Sequence, residues 1–261
     1  MNLNSLFSLD GKVALVTGGS SGIGAMIAEG FVSAGATVYI CSRNIGKGQE
    51  TAEALRHYPG QCHAVEADVS TMAGIDALVE LISGRENSVG VLVNNAGAIR
   101  NQAFSEFSED DWDSVMNLNA RTAFFLTQKM LPLLRNAASE EDPARVINIG
   151  SVQGARANSM WAYSYCASKA ALTQLTKNLA FDLARENIAV AAIAPGFFPS
   201  NMTAPIIENQ TANDAMLKRV RMGRVGKKEE LAALAIYMAS KSGAYLTGET
   251  VFLDGGLILS G

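Results

Sequence analysis

Tyr165 and Lys169 stand four residues apart in a stretch, 161–185, where Ala171, Leu172, Leu175, Leu179 and Leu183 recur at helical spacing with no proline. That spacing predicts a helix and puts phenol and ammonium on one face, one turn apart. An ammonium beside a phenol favours the phenolate and lowers its pKa, which brings proton exchange within reach of neutral pH. Ser151 follows the apolar run 145–150, which reads as a buried strand. A hydroxyl at a strand end can hydrogen-bond a carbonyl oxygen while the tyrosine gives or takes its proton. By itself the pair is a weak signal, because Tyr-x-x-x-Lys arises on many helices as ordinary surface or core. Its weight comes from the elements that carry it.

Those elements alternate. Apolar runs at 13–17, 37–41, 63–66, 89–93, 145–150, 189–194 and 250–253 read as buried strands. Helical patterns lie between them at 23–33, 47–56, 75–83, 110–134, 161–185 and 229–238. Such alternation predicts an α/β fold: a Rossmann-type, doubly wound parallel sheet of about seven strands with helices on both faces. No linker, repeat or low-complexity tract interrupts it, so residues 1–261 are expected to form a single domain. The segment 197–224 breaks the rhythm and is expected to be a lid over a pocket.

The first strand runs into Thr17-Gly18-Gly19-Ser20-Ser21-Gly22-Ile23-Gly24. Glycines between a strand and a helix let backbone approach a pyrophosphate at the helix N-terminus, so Gly18, Ser20, Ser21, Gly22, Ile23 and Gly24 are candidate cofactor contacts. The spacing departs from G-x-G-x-x-G, and the bland alternative is a glycine-rich turn without a ligand. At the end of the second strand an acidic residue would hold the ribose of NAD; Arg43 stands there instead, which favours the 2′-phosphate of NADP(H). Asp68, before Val69, either accepts from an adenine amino group or caps a helix starting near Ser70. Asn94 reads as structural, and Asn95, Ala96 and Gly97 as cofactor wall. Asn119 lies mid-helix, where asparagine marks a kink or a bound water.

Composition narrows the function classes. A net charge of −4 across 261 residues, with 48% hydrophobic content, suits a globular enzyme and gives no reason to expect nucleic acid. The basic run Lys218, Arg219, Arg221, Arg224, Lys227 and Lys228 is followed at once by Glu229 and Glu230 and reads as a solvated face. The minor alternative is a dock for an acidic carrier or a phosphorylated substrate. Cys41, Cys62 and Cys166 have no metal-ligand spacing; no metal and a reducing compartment are expected. Neither a signal peptide nor a membrane span is evident, so a cytoplasmic location is expected.

Taken in order, Thr17-Gly18-x-x-x-Gly22-x-Gly24, Asp68, Asn94-Asn95-Ala96-Gly97, Asn119, Ser151, Tyr165-x-x-x-Lys169 and Pro195-Gly196 resemble the short-chain dehydrogenases/reductases along essentially the whole chain. The resemblance implies that Tyr165 is the general acid of reduction and that Ser151 polarises the carbonyl. It implies that Lys169 lowers the tyrosine pKa and holds the nicotinamide ribose, and that Asn119 anchors a proton-relaying water. Pro195, Gly196, Phe198 and Ser200 would border the carboxamide. A homotetramer or homodimer is implied, pairing through 110–134, 161–185 and the last strand. The stretches 142–151 and 193–203 are similar to bacterial 3-oxoacyl reductases, especially the type linked to rhamnolipid precursors. Gluconate- and polyol-type dehydrogenases of the same family are similar as well. The expected substrate is therefore a 3-oxoacyl thioester, with a polyol or sugar acid second. Ile99, Phe104, Met160, Trp161, Phe197, Phe198, Met202 and Ile206 are its candidate apolar walls, although each can also be core filling. A cofactor-binding regulator without turnover is the reading from another class.

Overall fold

The computed structural model describes residues 2–157 and 161–260. Its strands are β1 (Val13–Thr17), β2 (Thr37–Ser42), β3 (Gln61–Glu66), β4 (Val91–Asn94), β5 (Ala144–Ile149), β6 (Ile188–Pro195) and β7 (Thr250–Leu253). They form one sheet in the order β3-β2-β1-β4-β5-β6-β7. Every pairing is parallel. The expected doubly wound sheet is the observed one.

Helices cover both faces, and the two-residue period of the strands explains how. Ala14 and Val16 of β1 pack on Ile27 and Phe31 of α2 (Gly22–Ser33) and on Leu231 and Ala235 of α10 (Lys228–Ala239). Leu15, between them, points the other way. It joins Ile75 and Leu78 of α4 (Met72–Ser83) and Leu126 and Met130 of α6 (Thr122–Ala137). Phe31 and Leu126 are fully buried, each adding roughly 1.5–3 kcal/mol by removal from water. From β1 the chain runs outward to β2 and β3, then crosses back to β4 on the other side of β1. The strand order reverses there, so a crevice opens beyond the carboxyl ends of β1 and β4.

Several elements differ from the sequence expectation. The helix expected at 110–134 is two: α5 (Glu109–Met116) and α6, joined by a π-helical turn over Asn117–Arg121. Asn119 sits inside that turn. A short α1 (Leu3–Phe7) was not expected; Asn2 caps it, accepting from the backbone N–H groups of Asn4 and Ser5. The third helix, α3 (Ile45–Ala54), starts two residues early because Asn44 caps it through the N–H of Lys47 at 3.1 Å. The segment 197–224 is not loop throughout but carries α8 (Ala204–Ile207) and α9 (Gln210–Leu217). Of the basic run, Arg224 pairs with Glu230 at 2.6 Å and Lys228 with Glu29 at 2.8 Å, and the other four side chains are exposed.

Candidate active site

At the switch point the chain encloses a groove of about 620 Å³. The β1–α2 loop forms its floor. Gly18 and Gly22 adopt left-handed φ values of +65° and +53°, which only glycine takes without strain. A Cβ on Gly18 would stand 2.9 Å from Asn95 Nδ2. Asn95 ties this loop to β4: its Nδ2 donates to Thr17 O at 2.8 Å and to Gly18 O at 3.2 Å. Thr17 Oγ1 accepts from the N–H groups of Asn95 and Ala96, both at 3.0 Å. Among the described residues no side chain caps α2, whose N-cap is Ser21. Its first N–H groups are therefore left for a ligand oxygen, at the positive end of the helix dipole.

The groove wall contains Gly18, Ser20, Ser21, Gly22 and Ile23, then Arg43, then Asp68 and Val69, then Asn95, Ala96 and Gly97. It continues through Ser151, Tyr165 and Lys169 to Pro195, Gly196, Phe198 and Ser200. Two expected members are absent from it. Gly24 lies beneath the loop, where a Cβ would meet Gly18 O at 2.4 Å, so its task is packing. Asn119 is buried behind the wall. Its Oδ1 accepts from Ala98 N at 2.8 Å, and its Nδ2 donates to Ala98 O and Ser168 Oγ, both at 3.0 Å. It ties the loop after β4 to α7 (Tyr163–Leu183).

Ser42, Asn44 and Lys47 also line the groove, and the sequence reading passed over all three. Lys47 follows Arg43 by four residues, but Arg43 stands before the cap of α3, so helix-face spacing offered no signal for it. Neither cation is held in an ion pair among the described residues. A pyrophosphate cradle at one helix start and two free cations beyond β2, with no acid at the strand end, fit a phosphorylated dinucleotide. Asp68 caps no helix directly. Its Oδ1 accepts from Ser70 Oγ at 2.7 Å and Ser70 N at 3.1 Å, while Thr71 caps α4. Those bonds, with Arg43 nearby, hold its carboxyl below the usual value.

Ser151 stands two residues beyond β5, and Tyr165 and Lys169 face it from the first turns of α7. All three are buried. Burial pushes the Tyr165 phenol above its ordinary value, and the hydrogen bond with Ser151 pulls it part of the way back. This corrects the sequence expectation of a phenol lowered by lysine. The Lys169 ammonium lies 5.8 Å from the Tyr165 ring centre and donates to Ile149 O at 2.6 Å. Desolvation brings Lys169 itself down to about 8.

Of the expected apolar walls, Phe198 and Met202 line the groove and Phe197 lines a smaller cavity beside it. Ile99 packs on a buried cluster with Val115, Ala162 and Tyr165. Phe104 and Trp161 stand exposed outside, Ile206 is half-buried, and Met160 falls outside the described residues.

A parallel doubly wound sheet with a dinucleotide-shaped crevice and a Ser–Tyr–Lys set beside it is the layout of a nucleotide-dependent oxidoreductase. The family model described as short chain dehydrogenase matches residues 12–211, and the chain belongs to that family. It is 47% identical over 257 residues to the rhamnolipids biosynthesis 3-oxoacyl-(acyl-carrier-protein) reductase of Pseudomonas aeruginosa, covering 98% of this chain and 100% of the relative. It is 38% identical over 256 residues to the 2-dehydro-3-deoxy-D-gluconate 5-dehydrogenase of Dickeya dadantii, covering 98% of each. The solved Pseudomonas aeruginosa RhlG/NADP active-site complex matches with a TM-score of 0.95 and 47% identity, over 99% of this chain and 100% of that one.

Proposed function

We propose that this chain is a cytoplasmic NADPH-dependent carbonyl reductase whose substrate is a 3-oxoacyl thioester. The observation that carries the reading is the single groove in which Ser151, Tyr165 and Lys169 meet the uncapped start of α2 and the unpaired Arg43 and Lys47. Bound NADPH supplies the hydride that reduces the carbonyl carbon. Ser151 and Tyr165 hydrogen-bond the carbonyl oxygen, and the phenol, protonated at neutral pH and raised further by burial, gives up its proton as charge develops there. Lys169 holds the nicotinamide ribose, and Asn119 keeps α7 and the loop after β4 in register for proton resupply. Backbone at 20–23 would take the pyrophosphate, Arg43 and Lys47 the 2′-phosphate, and Pro195, Gly196, Phe198 and Ser200 the carboxamide. The segment 197–224 acts as lid, with Met202 on its groove side.

Support for the acyl substrate comes from the relative named for 3-oxoacyl reduction, the more similar of the two by identity. The relative named for 2-dehydro-3-deoxy-D-gluconate favours a sugar acid as the second reading. Oxidation of NADPH and of NADH with acetoacetyl-coenzyme A, beside NADP⁺ reduction by gluconate, separates them. The expected result is thioester turnover with NADPH, and an Arg43→Ala variant whose preference for NADPH over NADH falls about tenfold or more, one charge-assisted phosphate contact being worth roughly 1.5–3 kcal/mol. Gluconate turnover with silence on thioesters would promote the second reading. Tight NADPH binding with no turnover on any substrate would make the chain a binder.

A further inference from the structure

We infer that Asn148 and Thr176 are positioning residues: their bond sets where α7 lies along β5, and so where Tyr165 stands against Ser151, a role that rests on the reductase reading above. Asn148 Nδ2 donates to Thr176 Oγ1 at 2.9 Å. Asn94 of β4 continues the chain, its Nδ2 donating to Asn148 Oδ1 at 2.9 Å and to Thr127 Oγ1 of α6 at 3.1 Å. Each threonine hydroxyl gives its own proton to the carbonyl one turn back. Thr176 donates to Leu172 O at 2.8 Å and Thr127 to Ala123 O at 2.7 Å. A hydroxyl that has given its proton can only accept, so the direction of every bond is fixed. All four side chains are buried. Asn148 shares its face of β5 with Val146, and Asn94 its face of β4 with Leu92, so the chain runs through the apolar layer between the sheet and α6 and α7. Apolar contacts are non-directional and tolerate a sliding helix, whereas hydrogen bonds hold one register.

The placement of these bonds links them to the reaction. Asn148 stands three residues before Ser151. Thr176 stands seven residues after Lys169 and eleven after Tyr165, two and three turns along one face of α7. Lys169 Nζ meets Ile149 O at 2.6 Å, so adjacent residues of β5 grip α7 at two points about 10 Å apart. One point alone would let the helix pivot; two fix its slide and its rotation together. None of the four residues of the chain lines the groove. Their effect on turnover therefore passes through Tyr165 and Ser151, where a misplacement of about 1 Å can cost about 10²-fold. Thr127 supplies an internal control, because α6 contributes no residue to the groove.

The test measures kcat, KM and Tm for wild type, Thr176→Val, Thr176→Ser and Thr127→Val with NADPH and acetoacetyl-coenzyme A. The valines keep the shape and remove the accepting oxygen; the serine keeps the oxygen. Positioning requires kcat to fall about tenfold or more in Thr176→Val with KM within about threefold, and Thr176→Ser to restore it to within about threefold of wild type. Thr127→Val should lower Tm while leaving kcat within about twofold. Wild-type kcat in Thr176→Val, whatever its Tm, overturns the inference, and so does an equal loss of kcat in Thr127→Val. If Thr176→Val does not fold, Thr176→Ala takes its place in the same comparison. Crystal structures of wild type and the Thr176 variant without cofactor give a readout free of activity. The distance from Tyr165 Oη to Ser151 Oγ must change by about 0.5 Å or more, and an unchanged distance overturns the inference. If the wild type turns over no carbonyl substrate, the reductase reading fails, and that distance alone decides the positioning.

Discussion

Lys169 is buried with its ammonium against one carbonyl oxygen, that of Ile149. Lowering its pKa from 10.5 to about 8 penalises the charged form by on the order of 3 kcal/mol. The sign of the stability effect follows. The unfolded chain keeps this proton up to about 10.5 while the folded chain releases it near 8, so between those values the unfolded state binds more protons. Wild-type stability therefore gains from this group as pH rises through that window. Lys169→Met removes the effect. Denaturant unfolding without cofactor should show wild type gaining on the variant by on the order of 2–3 kcal/mol between about pH 7 and pH 10. Parallel pH curves would mean that the lysine is not desolvated.

At the scale of elements, the β1–α2 junction is where close approach matters most. Gly24→Ala gains about 1 kcal/mol of helix propensity, yet its Cβ would stand 2.4 Å from Gly18 O and 2.5 Å from Asn95 Nδ2. Backbone cannot yield like a flexible side chain, so steric cost should win. Thermal melting should show a lower Tm, and titration should show NADPH binding weakened about tenfold or more; a raised Tm with unchanged affinity would refute the packing argument. The same junction shows what the sequence could reveal. The apolar runs disclosed the parallel sheet because strands buried on both faces have no polar face to hide the pattern. The spacing of Tyr165 and Lys169 disclosed their shared face because helical geometry is local. The π-turn at Asn117–Arg121 was illegible, since one extra residue per turn has no local signature and is held by the contacts of Asn119 with Ala98 and Ser168. Lys47 was missed because its place depends on where Asn44 starts α3. The direction of the Tyr165 shift was misread because sequence shows the neighbouring charge but not the burial that outweighs it.

For the whole molecule, exposed apolar side chains away from the groove include those on α6 and α7 and around β7. Phe181 on α7 is 86% exposed, with Phe124 of α6 also exposed. Tyr245, Phe252 and Leu259 are exposed in and around β7. Two patches each meeting its own copy across a two-fold axis would close the homotetramer that the family resemblance implies, whereas one would stop at the homodimer. Phe181→Glu should reduce the sedimenting mass by about half with β7 contacts retained, since a buried phenylalanine is worth roughly 1.5–3 kcal/mol and recurs in each symmetric copy. An unchanged mass would remove that patch from the assembly.

All of these scales converge on one phenol. The most direct measurement compares wild type with Tyr165→Phe, following NADPH oxidation with acetoacetyl-coenzyme A and measuring NADPH affinity by titration on the same samples. Loss of the proton donor should lower kcat by about 10²–10⁴-fold while affinity changes by no more than about threefold. Wild-type turnover in the phenylalanine variant would contradict the assignment of Tyr165 as the acid.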